Sequence, residues 1–554
     1  MKKAVFILLF FSLTWMLWSM PPMPGSGLTY DGSVRDEEGS APTYVPPLAS
    51  GSLSDSSSAK VNVSVSTTGN KKLLVLLAGF PDLAFNQGIT AQTHNTTYYR
   101  NLLQDSSGLT MKKYYLEQSR NKLNLSFLVL GGAYPYEAQY GYAYYGGNNQ
   151  VGNDRHPAEL VQEMLKVAKT DPLILGEDLD NCVVIVVHAG RGEEEGGVST
   201  DFIWSHRNSL TKNNLATVTI GSKTFDDYII VPEYTKWRNN CESSIGVFCH
   251  EFGHILGLPD AYDTAKITSG VGEWSLMGGG SWGSVGKAGL PPGTDPAPLM
   301  AWERLALGWI DEEQIILGPG ESNTYSFANI NNESKVYTIK LTDNQFLLFE
   351  GKKENMTGLG MCVMESGLMV TQMHKTILSN YWSKNTINYG SYRPHGVMIV
   401  EAVAENYKTN GLGNLWRYDS TDNRFTTTAL FRKGTLTELK PDVKSKNASI
   451  PFLPIFFDTI IASGVVIGLL AVWYAGRKKL CAALAVAITA ALISMSCVIE
   501  AGTGGGGTYD TGPNTNYYTS TFEVHSKTGY SGITIYNIKS NSDGSGSFSV
   551  RKAQ

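Results

Sequence analysis

The sequence predicts an α/β domain, a β-rich region after it, and a pair of membrane-spanning helices toward the C-terminus. Three observations carry that prediction. Between residues 71 and 318, apolar runs of strand length alternate with segments of helical spacing. From about residue 320 the helical spacing fades, and short apolar stretches separated by Gly, Asn and Asp take over. Residues 455–475 and 480–499 are then two uninterrupted apolar stretches, each long enough to cross the hydrocarbon core of a bilayer.

The elements follow in order. "KKLLVLLAGFPD", starting at Lys71, is a continuous apolar run closed by a Pro-Asp turn, which predicts a buried strand. "YYRNLLQDSSGLTMKKYYLEQS" has helical spacing, and "KLNLSFLVLGG" is the next strand. "PAELVQEMLKVAKT" predicts a helix leading into "NCVVIVVHAG", a strand apolar on both faces. In the β-rich region, residues 319–450, the expected strands are "TYSFANI", "KVYTIKL", "QFLLFE", "GLMVTQM" and "GVMIVEAV".

The ends of the chain speak to location. Lys2 and Lys3 precede an apolar run from Ala4 to Trp18, the pattern of an export signal over residues 1–20. No small-x-small cleavage site follows, and Pro21 and Pro22 crowd that position, so a signal peptide and an uncleaved signal anchor both fit. Residues 21–70, rich in Pro, Gly and Ser, read as a linker or pro-segment. Arg477, Lys478 and Lys479 between the two apolar stretches belong in the cytoplasm by the positive-inside rule. The hairpin over residues 451–500 therefore leaves the bulk of the chain outside, as the export signal independently requires. Asp458 falls near the outer end of the first span, where a carboxylate still reaches water. The Gly-, Ser- and Thr-rich tail, residues 501–554, is expected as an exported small β element or an unstructured segment. "LISMSC" resembles a lipoprotein processing site at Cys497, a weak alternative because such sites follow N-terminal signals.

The formal net charge of −5 and a pI near 6.0 give no electrostatic reason to expect nucleic acid as a partner. Six cysteines in 554 residues do not make a disulfide framework, although one bridge, Cys182 with Cys241, is open. Cys249 lies on an apolar helix and is expected as a small core residue.

That helix carries the chemistry. In "CESSIGVFCHEFGHILGL", Ile245, Phe248, Cys249, Phe252, Ile255 and Leu256 recur at three- and four-residue steps. His250 and His254 are four apart, so both imidazoles project from one face and can reach one ion. Gly257 can take the left-handed conformation that ends a helix and turns the chain back, bringing Asp260 toward the histidines. Two imidazoles and a carboxylate suit catalytic Zn²⁺, which keeps an open position beside three protein ligands. Glu251, next to the first histidine, is placed to move a proton from water activated by the ion to a leaving amine. Asp263 is a second carboxylate close by, so spacing leaves the third ligand open between it and Asp260. Further on, "GEWSLMGGGSWG" sets Met277 in a Gly-rich turn. An extended zinc motif followed by a methionine turn is the metzincin pattern, in which the methionine floors the metal site.

"HEFGHILGLPDAYD", "WSLMGGGSW" and "PAPLMAWERLALGWI" together resemble the immune inhibitor A family of secreted bacterial metallopeptidases. "LLVLLAGFPD", "YYLEQSRNKL", "VVHAGRGEEEGG", "IWSHR" and "YIIVPEY" extend the resemblance over roughly residues 70 to 310. It implies a metzincin-like catalytic domain over residues 71–318, with His250, His254 and Asp260 as zinc ligands, Glu251 as catalytic acid and base, and Met277 as the methionine turn. Beyond residue 310, "QFLLFEGKK" and "GLMVTQMHK" depart from the family's usual forms. Calcium is common in such enzymes, and "GRGEEEGG" is one place for Ca²⁺, although it lacks a calcium-loop spacing and reads better as a solvated acidic turn. His188 and His206 could reach the cleft and are assigned no role.

The expected function is a zinc endopeptidase acting on extracellular or envelope proteins or peptides from the outer side of the cell membrane. Two other readings use the same fold: a catalytically silent surface-binding protein, and a processing factor with a single protein substrate. Retention of Glu251 and of the ligand set favours an enzyme.

Overall fold

The computed structural model describes residues 18–21, most of 65–400 apart from short loops such as 265–269, 284–290 and 354–365, and most of 522–554. The expected membrane hairpin, the linker at 21–70 beyond Pro21 and up to Ser64, and Cys497 lie outside the described residues. Among those described, no helix is long and apolar enough to cross a membrane.

The first sheet is built on the apolar runs. Strand β1 is Trp18–Ser19, β2 Gly69–Gly79, β3 Leu123–Leu130, β4 Tyr136–Glu137, β5 Cys182–His188 and β6 His206–Ser209. After a small hairpin of β7 (Val218–Ile220) and β8 (Lys223–Phe225) comes β9, Asp227–Pro232. The order is β1-β6-β9-β5-β2-β3, with β4 also on β2. Strands β3, β2, β5 and β9 run parallel, whereas β6 is antiparallel to β9 and β1 antiparallel to β6. Every residue of β5 is buried, as a parallel strand covered on both faces requires.

Helices α1 (Thr96–Gln104) and α2 (Met111–Gln118) replace the single helical stretch that the spacing over residues 98–119 suggested. The break has a local cause. Asp105 leaves the first helix in extended conformation, and the Thr110 side chain caps the second by accepting from the Lys113 N–H at 3.2 Å. Helix α3 is Tyr142–Gly146 and α4 Pro157–Ala168, with proline at its first position. A second hairpin, β10 (Thr235–Trp237) with β11 (Asn240–Glu242), precedes α5, Ile245–Ile255, and α6 is Ala301–Ala306.

The β-rich region forms two sheets facing each other. One contains β12 (Asp311–Gln314), β14 (Lys335–Lys340), β15 (Gln345–Lys352), β16 (Gly367–His374) and β17 (Val397–Val400). The other contains β13 (Ser322–Phe327), β18 (Phe522–Ser526), β19 (Gly529–Ser540) and β20 (Gly546–Lys552). Helix α7, Lys375–Tyr381, interrupts a stretch where the sequence suggested only strands. Strand β15 explains its own unbroken apolar run. Leu347 and Phe349 enter the core between the two sheets, while Phe346 and Leu348 join the core of the first sheet and its helices.

The tail is a structural part of the protein. Strand β20 pairs antiparallel with β13 from Ser322↔Arg551 to Phe327↔Gly546, and Phe548 stacks on Phe349 with ring centroids 4.5 Å apart. Residues more than 200 positions apart thus share one sheet.

Candidate metal and catalytic site

Helix α5 is buried along its whole length, consistent with its predominantly apolar sequence. His250 and His254 lie one turn apart, their rings edge-to-face with centroids 4.8 Å apart and their Nε2 atoms 3.2 Å apart. The helix ends at Gly257, whose φ of +94° is the left-handed conformation expected there. The reversed chain delivers Asp260, whose Oδ1 lies 3.1 Å from His250 Nε2 and 3.4 Å from His254 Nε2. Among the described residues these three form the one His/Cys/Asp/Glu cluster whose ligand atoms all lie within 4.8 Å of each other. Asp263 is buried nearby but outside that cluster.

The hydrogen bonds around the imidazoles test whether a cation fits. His250 Nδ1 faces the Leu276 carbonyl at 2.9 Å, and His254 Nδ1 faces the Leu258 carbonyl at 2.8 Å. A carbonyl only accepts, so each Nδ1 carries the proton and each neutral ring directs the lone pair of Nε2 at the common point. Two nitrogen lone pairs and a carboxylate oxygen then converge in a dry interior, which is repulsive unless a cation sits among them. The donor set fits a divalent metal of the zinc type.

Met277 lies below the helix, with its Sδ 2.5 Å from where a Cβ on Gly253 would stand. The glycine inside "HEFGH" therefore leaves room for the methionine. The turn itself is tied down. Ser275 Oγ accepts from the Met277 N–H at 2.9 Å and donates to Glu303 Oε1 at 2.5 Å, and the Met277 carbonyl accepts from the Ala261 N–H at 2.7 Å.

Glu251 is fully buried, and neither carboxylate oxygen has a hydrogen-bond partner among the described residues. Burial pushes its pKa well up, and the carboxylates of Asp260 and Glu194 push it further, while the nearby main-chain amides of Met20 and Arg207 partly oppose them. For Asp260, burial favours the neutral form, but the two imidazoles, when protonated, outweigh it and hold the pKa down at about 2. Burial lowers the pKa of His254 against the pull of Asp260.

Several sequence expectations change here. Cys182 is a free buried thiol, so no bridge joins it to Cys241; Cys249 is free and buried in the core, as expected. "GRGEEEGG" is not a solvated turn, because Glu193, Glu194 and Glu195 are all buried. Asn148 Nδ2 donates to Glu193, Ser205 Oγ and N–H to Glu194, and Arg191 and the Lys236 N–H to Glu195. His206 is a core histidine, its ring nitrogens 2.8 Å from the Trp204 carbonyl and 3.2 Å from the Tyr228 hydroxyl. His188 is buried with its pKa lowered to about 4 by desolvation.

Sequence reading missed one group altogether. Asn385, in the turn after α7, donates from Nδ2 to Asp260 Oδ2 at 2.5 Å. Trp382 Nε1 donates to the Gly257 carbonyl at 2.8 Å, and Asn388 Nδ2 to the Ala261 carbonyl at 2.8 Å. The β-rich region thus braces the loop that presents Asp260. No local motif marks these residues, since the relationship spans 125 positions or more.

Residues 177–310, which contain β5, β6, β9, α5 and the Met277 turn, match the profile of the immune inhibitor A peptidase M6 catalytic domain. This segment belongs to the immune inhibitor A peptidase family. The chain is 32% identical over 306 residues to the pre-pro-metalloprotease PrtV of Vibrio cholerae, a stretch that covers 45% of this chain and 32% of that protein. It is 30% identical over 275 residues to immune inhibitor A of Bacillus thuringiensis, covering 41% of this chain and 38% of the relative. The chain therefore spans about a third of the length of these relatives. Among solved structures, OgpA of Akkermansia muciniphila aligns over 55% of this chain and 77% of its own at 15% identity, with a TM-score of 0.21.

Proposed function

We propose that this immune inhibitor A-type chain is a zinc-dependent endopeptidase that cleaves extracellular or envelope proteins or peptides. The observation that carries the reading is the convergence of His250 Nε2, His254 Nε2 and Asp260 Oδ1 on one buried point, with Glu251 on the same helix. Zinc held by these three would supply a Lewis acid toward the scissile carbonyl and make water acidic enough to react near neutral pH.

The chain's own residues do the rest. Glu251 takes the proton from water and returns it to the leaving amine. A carboxyl whose pKa is raised by burial can hold that proton between the two steps. The Leu276 and Leu258 carbonyls fix the tautomer and orientation of the imidazoles, and Asn385 fixes the carboxylate. Met277 floors the site against Gly253.

The location proposed is the outer face of the cell membrane, with residues 455–475 and 480–499 as the two spans. Pairing of β20 with β13 puts residues 322–327 and 546–552 on the same side of any membrane, which requires an even number of crossings between them. Two spans satisfy that count, and one would not.

The test is casein hydrolysis by the purified protein with its leader removed, beside Glu251→Ala. Cleavage by the first alone, with equal zinc content in both, is the expected result. A zinc-loaded protein that leaves casein and a peptide library uncut would refute the enzyme and favour a silent binding protein.

A further inference from the structure

We propose that Glu303 is a positioning residue for His250, acting through the turn at residues 275–277 without touching the metal site itself. The inference rests on the reading of His250, His254 and Asp260 as a metal centre.

Three consecutive residues tie the turn to its surroundings. The Ser275 hydroxyl accepts the Met277 N–H at 2.9 Å, which leaves its own hydrogen for a second partner, Glu303 Oε1 at 2.5 Å. The Leu276 carbonyl stands 2.9 Å from His250 Nδ1. The Met277 carbonyl accepts from the N–H of Ala261, the residue after Asp260, at 2.7 Å. Ser275, Leu276, Met277 and Glu303 are all fully buried.

Glu303 is fixed from the other side. Its Oε2 accepts the Met300 N–H at 2.5 Å, closing the capping box at the start of α6. The next amide of the helix, Ala301 N–H, donates to Glu350 Oε2 at 2.7 Å. Two carboxyl groups thus take up amides that a helix start leaves without partners. Glu350 comes from β15, where it pairs with the buried Lys352 at 3.3 Å. The β-rich region holds α6, α6 holds Glu303, and Glu303 holds the turn.

A helix cap needs only Oε2. Oε1 is directed out of the helix, to a hydroxyl 28 positions earlier in the chain, and this second bond separates positioning from capping. The consequence reaches His250 because its ring is rigid. The Leu276 carbonyl sets where Nδ1–H points, and thereby where the lone pair of Nε2 is aimed. Removing the Glu303 carboxyl leaves the buried Ser275 hydroxyl without its acceptor and releases the turn that carries this carbonyl.

The test uses the full chain and two readouts besides activity: zinc affinity by chelator competition, and the visible spectrum of the Co²⁺-loaded protein. Ser275→Ala, Glu303→Ala and the double variant are compared with wild type. Phe548→Ala, whose side chain lies in the other core, is the destabilised control. Each single variant should weaken zinc binding about 10-fold or more and alter the cobalt spectrum. The double variant should lose no more than the worse single one, because both changes release the same turn. Glu303→Gln keeps a carbonyl for Ser275 but not the acceptor for the Met300 N–H, and should bind zinc more tightly than Ser275→Ala. That last comparison carries the test if Glu303→Ala does not fold. Phe548→Ala should bind zinc as wild type does. Wild-type affinity and spectrum in Ser275→Ala and Glu303→Ala, losses that multiply in the double variant, or an equal loss in Phe548→Ala would overturn the proposal. A wild-type chain that takes up no zinc would instead remove the metal reading itself.

Discussion

Asn385 grips Asp260 at two points. Its Nδ2 donates to Asp260 Oδ2 at 2.5 Å, and its Oδ1 accepts the Asp260 main-chain N–H at 2.6 Å. Asp260 Oδ1 is thereby left to face the two imidazoles. Asp260, the proposed third ligand, is oriented by a residue from the β-rich region, far outside the segment that matches the catalytic family.

That grip predicts a loss of metal affinity when the amide is removed. Asn385 has a φ of +53°, so Asn385→Gly deletes the side chain without adding backbone strain. Zinc affinity measured by chelator competition should fall about 10–100-fold. Unchanged affinity would show that Asp260 is held without Asn385.

Gly253 and Met277 make a paired prediction. Alanine is the better helix former by about 1 kcal/mol, but its Cβ at position 253 would come within 2.5 Å of the Met277 Sδ. The clash should win, with Gly253→Ala costing about 1–3 kcal/mol in urea unfolding and displacing the methionine. Adding Met277→Ala should recover part of that loss. A Gly253→Ala protein as stable as its parent would contradict the packing described.

Buried carboxyls give a pH dependence. Glu303 is fully buried, and desolvation raises its pKa to about 8 despite hydrogen bonds from Ser275 and the Met300 N–H. An unfolded glutamate titrates near about 4.3. Between these values the folded chain holds a proton that the unfolded chain has lost, so this contribution to stability is present below about pH 4.3 and is lost as pH rises toward 8. Glu303→Gln should flatten the fall in urea midpoint over that window by about one proton's slope. An unaltered slope would assign the dependence to other groups.

The tail offers a direct test of the second core. Phe548 is fully buried between the two sheets of the β-rich region, so Phe548→Ala should cost about 3–5 kcal/mol. Equilibrium unfolding followed by tryptophan fluorescence checks it, and a cost under about 1 kcal/mol would mean that the tail does not pack there.

Local chemistry made much of this legible. The four-residue spacing of His250 and His254, the glycine at 257 and the apolar runs of β2, β3 and β5 each encode their own geometry. The rest lay in contacts between distant segments. Asn385 is an ordinary polar residue in a loop until the fold sets it against Asp260. The acidic run at 193–195 reads as solvent-facing because burial is unexpected for three adjacent carboxylates, yet Asn148 and Ser205 arrive from elsewhere to meet two of them, and Arg191 of the same loop turns onto Glu195. The tail reads as either a small β element or an unstructured segment, and what its sequence does not show is its sheet partner β13, more than 200 residues earlier.

The proposed centre is one zinc ion held by His250, His254 and Asp260. Its most direct test is zinc-edge X-ray absorption on the purified protein loaded with one equivalent of metal. The expected first shell is two imidazole nitrogens and oxygen ligands at about 2.0–2.2 Å, lost on Asp260→Ala. Sulfur in that shell, or no uptake of zinc at one equivalent, would contradict it.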